Sequence, residues 1–254
     1  DKLYGQNGDD ELKGEAGNDS LYGEEGNDKL RGGEGGDYLN GSYGNDVLEG
    51  EAGNDSLYGS YDEDVLDGGA GSDYLNGGSG NDTYKFELGS GHDTIYDCDE
   101  TSGNVDRIVF GEGINPEDLK FERKGEHLVI RIEGTTDKLT LKYQYREENS
   151  EYYKIEEIEF ADGTIWDRNR IESQRVYVIG TEGDDKKISS SLDNSLYGTD
   201  SENIMQGLGG NDYLYGGESN DLLEGGSGDD KLYGQNGDDE LKGEAGNDSL
   251  YGEE

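Results

Sequence analysis

The chain has 254 residues, a formal net charge of −41 at pH 7, 45 glycines and only 29% hydrophobic residues. So acidic a chain repels nucleic acid and anionic membranes, and it favours cations as partners. No apolar run approaches the roughly 20 residues of a membrane-spanning helix, and the single cysteine, Cys98, excludes an internal disulfide.

The first predicted element is a nine-residue repeat that runs from Gly5 to Lys85. The unit Gly14-Glu-Ala-Gly-Asn-Asp-Ser-Leu-Tyr22 has glycine at positions one and four, a carboxylate at position six and one apolar residue at position eight. Its glycine- and asparagine-rich part predicts a turn, and the remainder predicts a strand of two or three residues with leucine pointing inward. One unit has too little apolar surface to fold alone, so we expect stacked units, two to a coil.

The position-six aspartates of this array are the first candidate site. With two units per coil, aspartates 18 residues apart stack in rows at the roughly 4.8 Å spacing of strands. Repulsion within a row requires positive charge, and a hard divalent cation with oxygen ligands fits best. Two alternatives remain open: aspartates that only cap turns, and a chelating polyanion that never orders. The predicted rows are Asp10, Asp28, Asp46, Asp64 and Asp82 on one side, and Asp19, Asp37, Asp55 and Asp73 on the other.

The middle segment, residues 97–179, has 12 basic and 20 acidic residues, a more ordinary balance than the 5 and 23 of residues 1–96. Its patterns predict strands and two short helices, the first with Asn115 as its cap and Pro116 at its first position. The predicted strands cover 105–110, 127–132, 138–143, 155–160 and 164–166, and the second helix covers 166–175.

No catalytic constellation is recognisable in this segment. His92 and His127 are the only histidines, and we expect both to be solvated. Alternation along the predicted strand places Glu156 and Glu157 on different faces, which favours solvation over a glycosidase pair. The tyrosines at position nine of the repeats, such as Tyr215 and Tyr233, are expected to stack along the coils.

A second array begins near residue 180 and is irregular at first. Its position-six residues are Asp185, Asn194, Asn203, Asp212, Asp221, Asp230, Asp239 and Asp248. Asparagine offers a carbonyl oxygen but no charge, so residues 180–206 are predicted to be a degenerate lead-in with weak or absent cation binding. The metal ligands predicted in this array are Asp212, Asp221, Asp230 and Asp239.

Residues 1–25 are identical to residues 230–254. We therefore expect slightly more than one period of a 229-residue super-repeat, with neighbouring super-repeats in a longer parent chain. An artificial duplication is the alternative.

Units such as Gly68-Gly-Ala-Gly-Ser-Asp-Tyr-Leu-Asn76 resemble the nonapeptide of RTX (haemolysin-type calcium-binding) proteins. The stretch from Gly91 to Trp166 resembles the haemolysin-type calcium-binding related segment. The resemblance implies an all-β fold in which right-handed parallel β-roll arrays, 1–96 and 180–254, flank a small, mainly β spacer with short helices, 97–179. It also implies several Ca²⁺ ions held by the position-six aspartates. Asp64 departs from the pattern, because Asp62 stands where its unit should have the position-four glycine.

The predicted function is that of an extracellular, calcium-binding structural repeat region that folds on Ca²⁺ after type I secretion. The parent is expected to be a large surface protein or adhesin, or a toxin, and this region is expected not to be an enzyme. The alternative is the C-terminal RTX region of a secreted lipase or protease whose catalytic domain lies outside this sequence. Calcium ions are the expected partners, with no nucleic acid and no membrane insertion, and the surface or host ligand stays open.

Overall fold

The computed structural model describes residues 1–99, 103–145, 150–172, 174, 176–179, 185–188 and 193–253. These residues are nearly all β, with 54% of them in strands and 4% in helices. The chain forms two compact units. The first comprises Asp1–Leu119 and Gly125–Glu172, and the second comprises Lys120–Lys124 and Ser173–Glu254.

The strands of the first array recur once per nonapeptide. Most cover six residues, from position seven of one unit to position three of the next, so the expected length of two or three residues is wrong. They are β1 (Lys2–Asn7), β2 (Glu11–Ala16), β3 (Ser20–Glu25), β4 (Lys29–Glu34), β5 (Tyr38–Tyr43), β6 (Val47–Gly53), β7 (Ser56–Tyr61), β8 (Val65–Asp67), β9 (Ala70–Gly71), β10 (Tyr74–Ser79), β11 (Thr83–Phe86) and β12 (His92–Ile95).

Alternate strands of this array pair in parallel, which confirms two nonapeptides per coil. One sheet runs β1-β3-β5-β7-β10-β12 and the opposite sheet runs β2-β4-β6-β8-β11. Leu3 pairs with Leu21, and Leu12 pairs with Leu30. Because side chains of a strand alternate between faces, positions six, eight and one all point inward. The leucine column is therefore the core, and Leu21 and Leu30 are completely buried.

The coils turn through residues with positive φ at positions two and four, for example Glu15 with φ 72° and Gly17 with φ 119°. The need for glycine at position four is steric as well. At Gly53, with φ 145°, an added Cβ would lie 1.5 Å from the carbonyl oxygen of Gly35 in the preceding coil. Stacked coils repeat the same backbone conformation, so ladder pairing continues through the bend and lengthens the strands.

The middle segment contains more elements than the sequence predicts. The strands Leu119–Lys124 and Val176–Ile179 were not expected, and the strands Lys138–Leu141 and Glu157–Glu159 are shorter than expected. The short helices are a 3-10 helix at Pro116–Asp118, a second at Ser150–Tyr153 and the α-helix α1 (Arg168–Glu172); residues 173 and 175 of the predicted second helix lie outside the described residues. The strands are β13 (Arg107–Phe110), β14 (Leu119–Lys124), β15 (His127–Ile132), β16 (Lys138–Leu141), β17 (Glu157–Glu159), β18 (Ile165–Trp166) and β19 (Val176–Ile179).

Within the first unit, the middle segment continues the two sheets of the array. β12 pairs with β16, and β11 pairs with β13, which in turn pairs with β17, all in parallel. β15 and β18 then pair antiparallel with β16 and β17. The leucine column gives way to an aromatic core in which the Phe86 and Phe110 ring centroids lie 5.9 Å apart and those of Phe110 and Phe160 lie 5.6 Å apart.

The second unit repeats the stacked architecture. Its further strands are β20 (Asp185–Ile188), β21 (Asn194–Tyr197), β22 (Asn203–Gln206), β23 (Tyr213–Gly217), β24 (Leu222–Ser227), β25 (Lys231–Gln235), β26 (Glu240–Ala245) and β27 (Ser249–Tyr251). Its sheets run β14-β19-β21-β23-β25-β27 and β20-β22-β24-β26, all in parallel. Tyr215 stacks on Tyr197 and Tyr233 at centroid distances of 4.9 and 4.8 Å, which confirms the expected tyrosine ladder.

These features confirm the predicted parallel β-roll. The division at residues 97 and 180 stays a prediction, as does the weak cation binding of the lead-in 180–206, part of which lies outside the described residues. None of the helices in the described ranges is long and apolar enough to cross a membrane.

Candidate metal centre

The position-six aspartates stack into the two predicted rows. Where another coil precedes it, a row carboxylate accepts through one oxygen, Oδ1, the backbone N–H of the residue 18 positions earlier, so Asp28 accepts from Asp10 at 2.8 Å. In the other row, Asp37 accepts from Asp19 at 2.8 Å. The spacing of the rows is thus set by the backbone, which holds each carboxylate in one orientation.

The second carboxylate oxygen, Oδ2, is the feature that points to a ligand. Among the described residues, it is buried and has no hydrogen-bond partner at these predicted ligands: Asp10, Asp19, Asp28, Asp37, Asp46, Asp55, Asp64, Asp73, Asp82, Asp212, Asp230 and Asp239. Asp221, the thirteenth, occupies the equivalent place, and its Oδ1 accepts the N–H of Asn203 at 2.7 Å. Buried anionic oxygens without compensation are costly, so each row requires positive charge.

The surroundings of Oδ2 supply further oxygens. A Cβ added at Gly23 would lie 2.3 Å from Asp28 Oδ2 and 2.8 Å from the carbonyl oxygen of Gly41. The position-one glycine therefore leaves open a place where a carboxylate oxygen and a backbone carbonyl approach each other. Several oxygen ligands without a nitrogen or sulfur ligand suit Ca²⁺, so the residues present fit this ion.

Lysine and arginine side chains do not neutralise the rows in the described part of the chain. There, lysine and arginine side chains pair with glutamates outside the rows, as Arg31 does with Glu49 at 2.7 Å. The one described ion pair to a row aspartate joins the ammonium group of Asp1 to Asp19.

Burial of the rows raises the pKa of several of their carboxyl groups. Loss of hydration raises the pKa of Asp46 and Asp55 to about 7 and that of Asp64 to about 9, with neighbouring row carboxylates adding to the effect. The pKa of Asp212 in the second unit also rises to about 7 through burial. To fold without metal at neutral pH, these rows would therefore have to take up protons in place of some of the missing cations.

Asp64, Asn194 and Asn203 belong to units that depart from the repeat pattern, and all three lie in the rows. Asp64 lies in its row like the others, since Asp62 adopts φ 74° and its own carboxylate accepts the N–H of Gly44 at 3.1 Å. Asn194 and Asn203 are also buried in the rows of the second unit. The Asn203 amide donates to Asp221 Oδ1 at 3.0 Å, so a protein donor reaches an oxygen of the row.

The rows extend beyond the predicted ligands. Asp93 accepts the N–H of Asp73 at 3.0 Å, Asp106 accepts that of Asp82 at 2.9 Å, and Glu156 accepts that of Asp106 at 2.9 Å. Each of these acids lies two residues before a buried isoleucine. This spacing of an acid and an apolar residue would have identified them in the sequence without a fixed repeat period.

The expected solvation of Glu156 and His127 is wrong. Glu156 is half-buried and burial raises its pKa to about 7, while Glu157 pairs with Arg107. His127 is half-buried, and its Nδ1 accepts the N–H of Tyr143 at 3.0 Å. His92 is exposed, as expected.

Comparison with known proteins matches both parts of the sequence pattern. A family model for the RTX calcium-binding nonapeptide repeat matches residues 4–39, 31–60, 54–84, 190–223, 197–232 and 224–254, which together are more than half of the chain. A model for the haemolysin-type calcium binding protein related domain matches residues 127–170. The iron-regulated protein FrpA of Neisseria meningitidis serogroup C is 40% identical over 113 residues, 44% of this chain and 10% of that protein.

Proposed function

This chain belongs to the family of RTX calcium-binding nonapeptide repeat proteins, and we propose that it is an extracellular structural region whose arrays fold when Ca²⁺ binds. As a repeat region of this family, it binds Ca²⁺. The observation that carries the proposal is the set of buried Oδ2 atoms named above, which have no hydrogen-bond partner among the described residues. With ions bound, these oxygens are ligands; without ions, they oppose folding.

The mechanism is coupled binding and folding. At low Ca²⁺, mutual repulsion of the rows and the formal charge of −41 favour an extended chain that can be exported by type I secretion. Outside the cell, Ca²⁺ neutralises the rows, and binding free energy becomes folding free energy. Extracellular calcium modules typically have dissociation constants of roughly 10⁻⁴–10⁻³ M, which suits such a switch.

We propose that the parent protein is a large surface protein or adhesin, or a toxin, and that this region is not itself an enzyme. The identical segments 1–25 and 230–254 support a tandem architecture. The alternative, a secreted lipase or protease with its catalytic domain elsewhere, remains a second candidate because the matched region is only 10% of FrpA. The sequence preceding Asp1 in the parent gene discriminates the two: further copies of the repeat favour the surface protein, and a catalytic domain favours the enzyme.

The decisive experiment is circular dichroism of the chain in EGTA, in millimolar CaCl₂ and in MgCl₂ at the same ionic strength. We expect a largely disordered spectrum in EGTA and a β-rich spectrum in CaCl₂. Mg²⁺ should be much less effective, since it requires compact octahedral geometry and retains its waters. Equal β content in EGTA and CaCl₂ would rule out coupled folding.

A further inference from the structure

The first unit contains a cluster of carboxylates that lies outside the nonapeptide pattern. Asp97 follows β12, in which Ile95 pairs with Leu75. Two residues on, Asp97 therefore takes the place that Gly77 has in the preceding coil. In the array this position is glycine because the neighbouring aspartate fills the space: a Cβ at Gly77 would lie 2.1 Å from Asp82 Oδ2. At residue 97, the chain places a second carboxylate there.

The carboxylate of Asp97 is buried without compensation. The residue is 2% exposed, and among the described residues neither of its oxygens has a hydrogen-bond partner. The Tyr84 hydroxyl and the Asp106 carboxylate are close enough to shift the pKa of Asp97, but neither meets its oxygens with hydrogen-bonding geometry. By contrast, the row aspartates of the array from Asp28 to Asp82 each have one oxygen fixed by a backbone N–H, as Asp82 does through the N–H of Asp64 at 2.8 Å.

Three carboxylates converge at this point. One oxygen from each of Asp82, Asp97 and Asp106 lies within 4.8 Å of the other two. Two oxygens that bind the same Ca²⁺ at 2.3–2.6 Å can be at most about 5 Å apart, so this spacing permits a shared ion.

The cluster is also held in place by its surroundings. Asp106 receives the N–H of Asp82 at 2.9 Å and the Asn104 amide at 2.8 Å, one on each oxygen. A carboxylate oxygen has two lone pairs, so these bonds orient Asp106 and leave acceptor capacity for an ion.

We propose that Asp82, Asp97 and Asp106 bind a Ca²⁺ ion at the end of the first array, in a site built from three carboxylates instead of one carboxylate per turn and backbone carbonyls. The site rests on the proposed function only for the choice of cation. Calcium affinity rises with the number of charged ligands, so this ion should bind at lower Ca²⁺ than the ions of the array.

The competing explanation is that protons, and not a metal ion, neutralise the cluster. Burial and the neighbouring carboxylates raise the pKa of Asp97 well above its usual range, and burial raises that of Asp82 to about 7. A shared proton would leave the number of bound Ca²⁺ ions independent of Asp97.

The test compares Asp97→Asn with the wild-type chain by calorimetric Ca²⁺ titration and by native mass spectrometry. Asparagine keeps the size of the side chain and removes its charge. We expect the variant to bind one Ca²⁺ fewer and to lose the tightest phase of the titration. The matched control is Asp162→Asn, which removes one charge from an exposed turn of the same segment and should bind as the wild type does.

The outcomes separate this site from the proposed function. If the arrays bind no Ca²⁺ but this site exists, the wild type binds a single ion that Asp97→Asn loses. If Asp97→Asn binds the same number of ions with the same affinity, the proposal is wrong and only protons occupy the cluster.

A second measurement does not depend on the folding of any variant. Wild-type crystals grown with Tb³⁺, a hard cation that replaces Ca²⁺, should show an anomalous peak within bonding distance of Asp82, Asp97 and Asp106. Peaks along the rows without one at this cluster would overturn the proposal.

Discussion

The rows of the first array and the start of the second unit have the same backbone but different charges. In both, the position-six residue is buried and stacks at 18-residue spacing, as Asp28 does on Asp10 and Asp212 does on Asn194. In the second unit, however, two successive position-six residues are Asn194 and Asn203. The coils therefore stack without a carboxylate at each step. A cation, however, is needed only where the position-six residue is a carboxylate. The comparison separates the residues that build the roll from those that make it depend on Ca²⁺.

The largest difference between the regions is expected for Asp37→Ala against Asn203→Ala. Alanine at 37 removes a ligand oxygen and also the acceptor of the buried Asp19 N–H, which alone costs about 1–3 kcal/mol. We expect the Ca²⁺ midpoint of folding to rise several-fold for Asp37→Ala, measured by circular dichroism. Asn203→Ala removes a protein donor and no charged ligand, so its midpoint should move much less. Equal shifts would show that the lead-in binds Ca²⁺ as the array does.

Asn203→Asp is the reciprocal change and should have a smaller effect. It replaces the amide that donates to Asp221 Oδ1 at 3.0 Å with a second carboxylate. At the lowest Ca²⁺ concentration that folds the wild type, the variant should melt at lower temperature because two buried like charges repel. In saturating CaCl₂ the difference should shrink or reverse, because the new carboxylate can bind an ion.

The control for this variant is Asn211→Asp, which adds the same charge at an exposed position outside the rows. Its melting temperature should respond to Ca²⁺ as that of the wild type does. If both variants behave alike, net charge and not the row position determines the calcium dependence.

The sequence predicted the rows but not their ends. A fixed nine-residue period finds Asp10 to Asp82, since every coil there has the same length. From Asp82 to Asp106 the next coil has 24 residues, and from Asp106 to Glu156 it has 50, so no period connects them. The strand ladder nevertheless continues, because β13 and β17 stack on β11 in register. Coil lengths of this kind depend on tertiary pairing, which a local pattern does not contain.

Strand length was mispredicted for a related reason. Position two has positive φ, as at Glu15. A prediction from the sequence of one unit therefore ends the strand there. In the roll, Glu15 still pairs with Gly33 of the next coil, because identical bends stack as well as identical strands do.

The smallest expected effect is the response of folding stability to pH. This response should have opposite signs with and without Ca²⁺. An unfolded aspartate has a pKa near 3.9, whereas burial raises that of Asp46 and Asp55 to about 7. Between these values the folded chain binds more protons than the unfolded chain, so its stability in EGTA should fall as pH rises from about 4 to 7.

In CaCl₂, acid should instead weaken folding, because protons compete with Ca²⁺ for the same oxygens. Hydrogen exchange at pH 5, corrected for intrinsic rates and compared with pH 8, measures this in each region separately. In EGTA, peptides that contain Asp46 and Asp55 should gain more protection at pH 5 than peptides around Asn194 and Asn203, where the row residues do not titrate. Uniform gains in both regions would mean that the titrating groups lie outside the rows, and the distinction between carboxylate and amide rows would then have no consequence for stability.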